Sequence, residues 1–307
     1  MSRTLLVVNP ASRAGATERS FGALERRLRE ALGSYDVAFT KGARDAVRIA
    51  REAATAGYAR LLVGGGDGTA SEIATGLLGA GRNEAVTLGF LPLGTGGDLL
   101  RTLGVPRSLS GALEILRAGK TRVIDAGRLD YTDDFGQPAQ TFFANETSAG
   151  LAGLVAQLVT HATKSLGATG SFLLGTLRGL ARYEPLPARV LVDGALAHEG
   201  PLVLATASGG RYFGGGMQVA PNASLSDGLL HAVIIPGLSK PELLARLPSL
   251  YSGAHLRAPG VRELCGRVVE VEPLGPRPPR FECDGEALGT APLRAEIVPR
   301  ALRVIAP

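Results

Sequence analysis

Leu61–Leu78 reads LLVGGGDGTASEIATGLL. Leu61, Leu62 and Val63 form an apolar run of the kind that ends a buried parallel strand, and Ile73 and Leu77 recur at i, i+4 as one face of a helix does. Between them, Gly64, Gly65, Gly66 and Gly68 lack Cβ atoms, can adopt positive φ and let a ligand come close to the backbone. A helix that starts here offers N–H groups with no helical partner, so phosphate is the natural guest. Asp67 repels bare phosphate and points instead to a nucleotide whose Mg²⁺ lies between the two, or to a shared hydroxyl. Thr69 and Glu72 also fit an S/T-x-x-E capping box, which starts a helix without any ligand.

Two other glycine motifs are excluded. No register of G-x-G-x-x-G on Gly64–Thr69 ends in glycine, which removes the dinucleotide fingerprint. The GKT at Gly119–Thr121 has Glu114 where a Walker A loop needs its leading glycine. The loop resembles the GGDGT signature of the diacylglycerol kinase catalytic family, which includes bacterial lipid kinases and sphingosine kinases and is related to the NAD kinases.

The chain around this loop is 307 residues long, 45% hydrophobic and 20% charged, enough for two globular domains. A net charge of +5, mostly arginine, suits phosphates and anionic headgroups; without an RNP, zinc or helix-turn-helix signature, nucleic acid is not the expected partner. Cys265 and Cys283 are too few and too loosely spaced for a metal cage or disulfide framework, as in a reducing compartment. The opening MSRTLLVVNP has no long apolar h-region, and no apolar run approaches the ~18 residues of a membrane span. A cytoplasmic protein is expected, meeting any lipid by peripheral contact at the inner face of the membrane. A homodimer is the default expectation for a soluble enzyme.

Alternation of strands and helices fills the first half. Thr4–Val8 is a strand closed by Asn9-Pro10, Phe21–Leu32 a helix, Tyr35–Thr40 a strand and Ala43–Ala56 a helix. After the central loop come a strand at Val86–Leu91, a second glycine turn in LPLGTGGDLLRTLGVP with Thr95 and Asp98 spaced as another capping pair, a helix at Ser110–Arg117 and a strand at Thr121–Leu129. Beyond that the rhythm is of strands between Gly, Pro and Asp turns: Gln140–Asn145, Ala188–Val192, Leu202–Ser208, Leu229–Ile235, Arg267–Val271, Arg280–Asp284 and Leu293–Val298. Leu151–His161, Ser171–Tyr183 and Lys240–Tyr251 are the helical exceptions. The fold class is α/β: an open α/β nucleotide-binding domain over residues 1–128, then a mainly antiparallel β domain with helical insertions over residues 129–307, whose last residues can return to the first domain.

The family resemblance extends over nearly the whole chain, since NPASRAG, GGGDGTASE, LPLGTGGD, VIDAG, SDGLL and DGE occur in its order and spacing. It implies that ATP is held by Asn9, Thr40, Gly65, Gly66, Asp67, Gly68, Thr69, Glu72, Gly94 and Thr95, with Asp67 on the nucleotide or its metal. It implies a structural Mg²⁺ on the Asp227 carboxylate and the carbonyls of Ser224 and Leu229, within an acidic network that includes Asp98 and Asp125. In the DGE motif it implies Glu286 as general base with Asp284 assisting, and an active site in the cleft between the domains. Gly97 departs from the pattern, because asparagine is usual there, and Leu99-Leu100 replace the usual Phe-Ala.

Read without the resemblance, several of these residues have plainer roles. Asn9-Pro10 can be a structural turn, Thr40 a turn or N-cap, Asp227 part of a Ser-Asp-Gly β-turn, and Asp284-Gly285-Glu286 a solvated hairpin tip. The reading that follows is an ATP-dependent lipid kinase, its acceptor a lipid hydroxyl of diacylglycerol or sphingoid type. An NAD kinase-like enzyme shares GGDGT, and a non-catalytic nucleotide or lipid binder is motivated by Gly97. Phe172, Leu173, Leu174, Leu177 and Leu180 can line an acyl pocket or belong to the core, and Arg178 and Arg182 can meet headgroups or simply be solvated.

Overall fold

A computed structural model of the protein describes residues 3–12, 16–94, 96–161 and 167–307. The chain divides into two compact units, Met1–Asp125 with Arg300–Pro307, and Ala126–Pro299.

In the first unit, β1 (Thr4–Val8), α1 (Ala16–Leu32), β2 (Asp36–Phe39), α2 (Asp45–Thr55), β3 (Arg60–Gly65), α3 (Asp67–Gly79), β4 (Thr87–Pro92), α4 (Asp98–Leu103) and α5 (Leu109–Ala118) follow in order. The strands form a parallel sheet ordered β2–β1–β3–β4, extended by Arg303 and Val304 beside Thr87 and Leu88. Leu6, Val8 and Leu62 turn to one face and pack with Phe21 and Leu28 of α1 and Leu113 and Leu116 of α5. The alternate residues Leu5, Val7, Leu61 and Val63 are equally buried, and α2 and α3 pack on β1 and β3. Gly76 makes that helix pair close, since a Cβ there would overlap the Val47 carbonyl.

Register decides where ligands meet this unit. Val8 pairs with Gly64 and Gly64 with Leu91, so three strands end at one level and their following loops share the carboxyl edge of the sheet. That edge is where open parallel sheets bind ligands.

The second unit contains most of β5 (Thr121–Asp133), then β6 (Pro138–Phe143), β7 (Glu146–Gly150), α6 (Leu151–His161), α7 (Gly167–Arg182), β8 (Leu186–Val192), β9 (Ala195–Ser208), β10 (Leu230–Pro236), α8 (Lys240–Arg246), β11 (Arg262–Gly266), β12 (Val268–Pro273), β13 (Arg280–Cys283) and most of β14 (Glu286–Ile305). Its pairing closes on itself, β9–β7–β13–β14–β12–β8 and back to β9. The long β9 and β14 make this closure by pairing with different neighbours along their lengths. Closure leaves few open edges, and Phe143, Phe281, Val190, Val269 and Ala295 fill the interior. The helix expected over Lys240–Tyr251 is α-helical only to Arg246 and continues as a 3-10 turn through Pro248, whose ring cannot sit in a regular helix interior. Among the described residues no helix is long and apolar enough to cross a membrane.

Candidate active site

The central loop forms as its glycines dictate. β3 ends at Gly65, Gly66 is the extended N-cap (φ −99°), and α3 begins at Asp67. A Cβ on Gly65 would overlap the Thr69 side chain, and one on Gly94 would overlap the backbone of Gly66. The loops after β3 and β4 are therefore seated backbone on backbone, an approach that only glycine allows. They enclose a cavity of about 230 Å³ whose wall includes Gly65, Gly66, Gly94, Gly96 and Gly97, with Leu100 and Arg107 beside them. Thr95 lies outside the described residues.

At the same carboxyl edge of the sheet, Asn9 donates from its amide to the Gly64 carbonyl at 3.0 Å and from Nδ2 to Thr69 Oγ1 at 3.3 Å, and accepts the Ala11 amide on Oδ1 at 3.1 Å. Thr40 is buried and its amide bonds the Val8 carbonyl at 2.9 Å, which brings it to the carboxyl edge beside β1. Ser12 and Thr17 both donate to the Leu93 carbonyl, at 3.0 and 3.2 Å, and so tie the start of α1 to the second glycine loop.

Two carboxylates tie neighbouring helices together. Asp67 turns both oxygens to the next helix: Oδ2 accepts the amides of Gly97 (2.7 Å) and Asp98 (3.0 Å), and Oδ1 that of Leu99 (3.1 Å). It caps α4, whose N-cap is Gly97; the capping pair expected of Thr95 and Asp98 involves Thr95 and so lies outside the described residues. Glu72 forms no capping box with Thr69. Its carboxylate accepts the amides of Arg44 (2.9 Å) and Ala46 (3.0 Å) and caps α2, whose N-cap Arg44 is left-handed (φ 62°) and supplies no side-chain cap itself. Glu72, expected among the nucleotide ligands, fastens α2 to α3 through these two bonds.

In the second unit, the DGE motif is the turn between β13 and β14, with Asp284 at φ 47° and Gly285 at φ 87°. Asp284 is buried and accepts the amides of Ala144 (2.9 Å), Asn145 (3.1 Å) and Glu146 (2.8 Å). These bonds anchor the turn, and the side chain of Glu286 is exposed on the first residue of β14. Asn145 donates from Nδ2 to the Tyr212 carbonyl at 2.8 Å.

The SDG segment forms the plain turn that its composition suggests, with Leu229 N–H on Asp227 Oδ1 at 3.1 Å. Asp227 Oδ2 lies 3.2 Å from His231 Nε2, and His231 Nδ1 lies 3.2 Å from Glu263. No motif pointed to His231; strand alternation within HAVII was the only available signal. Among the described residues no group of three or more His, Cys, Asp or Glu side chains is arranged to hold a metal. Asp98 and Asp125 belong to the first unit, where Asp125 Oδ1 accepts the Arg300 amide at 2.7 Å.

The helix expected to offer an acyl lining is α7. The side chains of Phe172, Leu173 and Leu174 lie outside the described residues; Leu180 is buried in the core, Leu177 is 45% exposed, and Arg178 and Arg182 are exposed.

A parallel α/β unit with two glycine loops at its carboxyl edge is followed by a closed antiparallel unit bearing a DGE turn, and comparison with known proteins matches both to kinase families. Residues 3–129 match the diacylglycerol kinase catalytic domain, and residues 145–306 the YegS C-terminal NAD kinase beta sandwich-like domain. The chain belongs to the family that joins a diacylglycerol kinase catalytic domain to a YegS-type C-terminal domain. It is 32% identical over 278 residues to the protein named "Probable lipid kinase YegS" of Escherichia coli O127:H6, covering 90% of this chain and 87% of that one. With "Probable lipid kinase YegS-like" of Klebsiella pneumoniae (strain 342) the identity is 32% over 293 residues, 92% of each chain. In fold it is similar to a diacylglycerol kinase from Bacillus anthracis str. Sterne (TM-score 0.72, 20% identity, 100% and 97% of the two chains). It is also similar to yeast NADH kinase complexed with NADH (TM-score 0.55, 10% identity, 100% and 84%).

Proposed function

We propose that this protein transfers the γ-phosphoryl group of ATP, taken up as its Mg²⁺ chelate, to the hydroxyl of a lipid of diacylglycerol or sphingoid type. The observation that carries the reading is the seat of Gly94 on Gly66, which leaves the first-turn amides of α3 beside a cavity walled by glycine. Such amides have no helical acceptor and suit phosphate oxygens, and Arg107 adds positive charge. Asn9 and Thr40 reach the same edge of the sheet and would contact the nucleotide, with Gly65, Gly68, Thr69 and Thr95 completing its cradle. Asp67 acts by holding Gly97, Asp98 and Leu99 in place.

Phosphoryl transfer asks the protein mainly to position its reactants and to receive a proton. Glu286, exposed at the tip of the DGE turn, takes the proton of the lipid hydroxyl as general base, and Asp284 fixes the turn. A structural Mg²⁺ would be held by Asp227 with the Ser224 and Leu229 carbonyls, where its charge would stiffen the turn. The acceptor would be reached by peripheral contact with a membrane surface, from the cytoplasmic side, by a monomer or a homodimer.

Incubation of the purified protein with ATP, Mg²⁺ and a total lipid extract, followed by mass spectrometry, is the test. The expected result is one lipid class that gains the mass of a phosphoryl group. Binding of ATP with no phosphorylated lipid, and turnover appearing only in Gly97→Asn, would favour a nucleotide-binding protein over an enzyme.

A further inference from the structure

The turn that presents Glu286 hangs from a second, deeper carboxylate. Glu282 on β13 receives the Ser148 hydroxyl on Oε1 and the Gly285 amide on Oε2, the latter at 2.8 Å. Ser148 is the register partner of Glu282, and Glu146, two residues earlier on β7, projects from the same face. Glu146 and Glu282 are 1% and 3% exposed, and their carboxyl groups face one another closely enough for a shared proton.

Two carboxylates accept but do not donate, so one member of this pair carries a proton. Glu282 has a donor on each oxygen. Glu146 Oε2 meets no N–H or O–H donor, and an ionised oxygen buried in that state is costly. The proton therefore sits on Glu146. Burial, followed by the charge of Glu282, also pushes Glu146 well above the usual carboxylate range, against a smaller opposing pull from the Ser148 hydroxyl. Burial raises Glu282 too, but there the hydrogen bonds of Glu146, Ser148 and the Gly285 amide all oppose it.

We propose that Glu282 is a positioning residue for Glu286: kept ionised by a hydrogen bond from protonated Glu146, it grips the Gly285 amide and fixes the direction in which the adjacent Glu286 is presented. Asp284 anchors the other side of the turn through the amides of Ala144, Asn145 and Glu146. Asp284 and Gly285 are both left-handed, so the turn depends on these two grips to keep one conformation. The inference rests on Glu286 as base of the proposed kinase.

Four forms of the full chain are compared: wild type, Glu282→Gln, Glu146→Leu and Glu146→Gln. The carboxamide of Glu282→Gln keeps the size but turns an N–H₂ toward a group that itself donates; Glu146→Leu removes the donor, and Glu146→Gln replaces it with an amide donor. With ATP and diacylglycerol micelles, kcat falls on the order of ten- to a hundredfold in Glu282→Gln and Glu146→Leu while the KM for ATP is unchanged, and Glu146→Gln restores most of the turnover. Infrared spectra at neutral pH show a buried protonated carboxyl in wild type that is missing from Glu146→Gln. That band is independent of activity, so a wild type that phosphorylates no lipid defeats the kinase reading, and the spectra still decide the acid pair. Undiminished kcat in Glu282→Gln, equal damage from Glu146→Gln and Glu146→Leu, or a band that survives in Glu146→Gln overturns the proposal.

Discussion

The carboxylate of Asp67 and the amide of Gly97 meet at 2.7 Å although they lie 30 residues apart, and with them the first glycine loop holds the second. Hydrogen bonds to an ionised acceptor contribute about 1.5–3 kcal/mol each. Asp67→Ala removes the acceptor for three amides, and urea unfolding should show a loss of at least about 1.5 kcal/mol, with weaker ATP binding by calorimetry. Unaltered stability would mean that the carboxylate does not hold α4.

Gly94 and Gly66 face one another unequally. Alanine at Gly94 overlaps the Gly66 backbone, whereas alanine at Gly66 meets only the Gly94 Cα at 3.7 Å, an ordinary contact. Gly94→Ala should cost about 1–3 kcal/mol as overpacking does, and Gly66→Ala well under that. Chemical denaturation of the two variants checks this order; equal costs would show that the loops are not in contact.

Glu72 gives the opposite kind of expectation. Because its oxygens cap α2, Glu72→Ala should destabilise the chain by about 0.5–2 kcal/mol and leave the KM for ATP where it was. A raised KM with unchanged stability would return Glu72 to the nucleotide site.

Glu146 links stability to pH. Burial raises its folded value well above the ordinary 4.5, so the folded chain binds this proton more tightly than the unfolded chain does. Its stabilising contribution is full below the unfolded value and is lost as pH rises through the folded one, with a slope of up to about 1.4 kcal/mol per pH unit. Unfolding free energies measured from pH 5 upward should therefore fall more steeply for wild type than for Glu146→Gln. Parallel curves would show that Glu146 is not held protonated.

The parts of this site that the sequence made legible are local ones. Gly64–Gly68 announce a strand-to-helix turn because backbone freedom is a property of the residues themselves, and the alternation of strands and helices up to Leu129 placed that turn at a sheet edge. Where a side chain reaches is a matter of tertiary contact. Thr69 and Glu72 have the spacing of a capping box, yet Glu72 finds Arg44 and Ala46 because α2 packs against α3. Asp67 finds Leu99, and Asp284 finds Ala144, across turns whose geometry no short window contains. The strand Glu146–Gly150 was missed for a related reason: ETSAG has little β-branched character, and it is a strand because β9 and β13 flank it. The run expected as a strand over Leu293–Val298 is part of a 20-residue strand whose ends are set by its partners.

Incubation of the purified protein with Mg²⁺ and ATP labelled in the γ-phosphoryl group, in the presence of both diacylglycerol micelles and NAD, asks the central question most directly. Label is expected in the lipid fraction, in amounts that depend on Glu286 and vanish in Glu286→Gln. Label recovered in NADP alone, or in lipid to the same extent without Glu286, would contradict it.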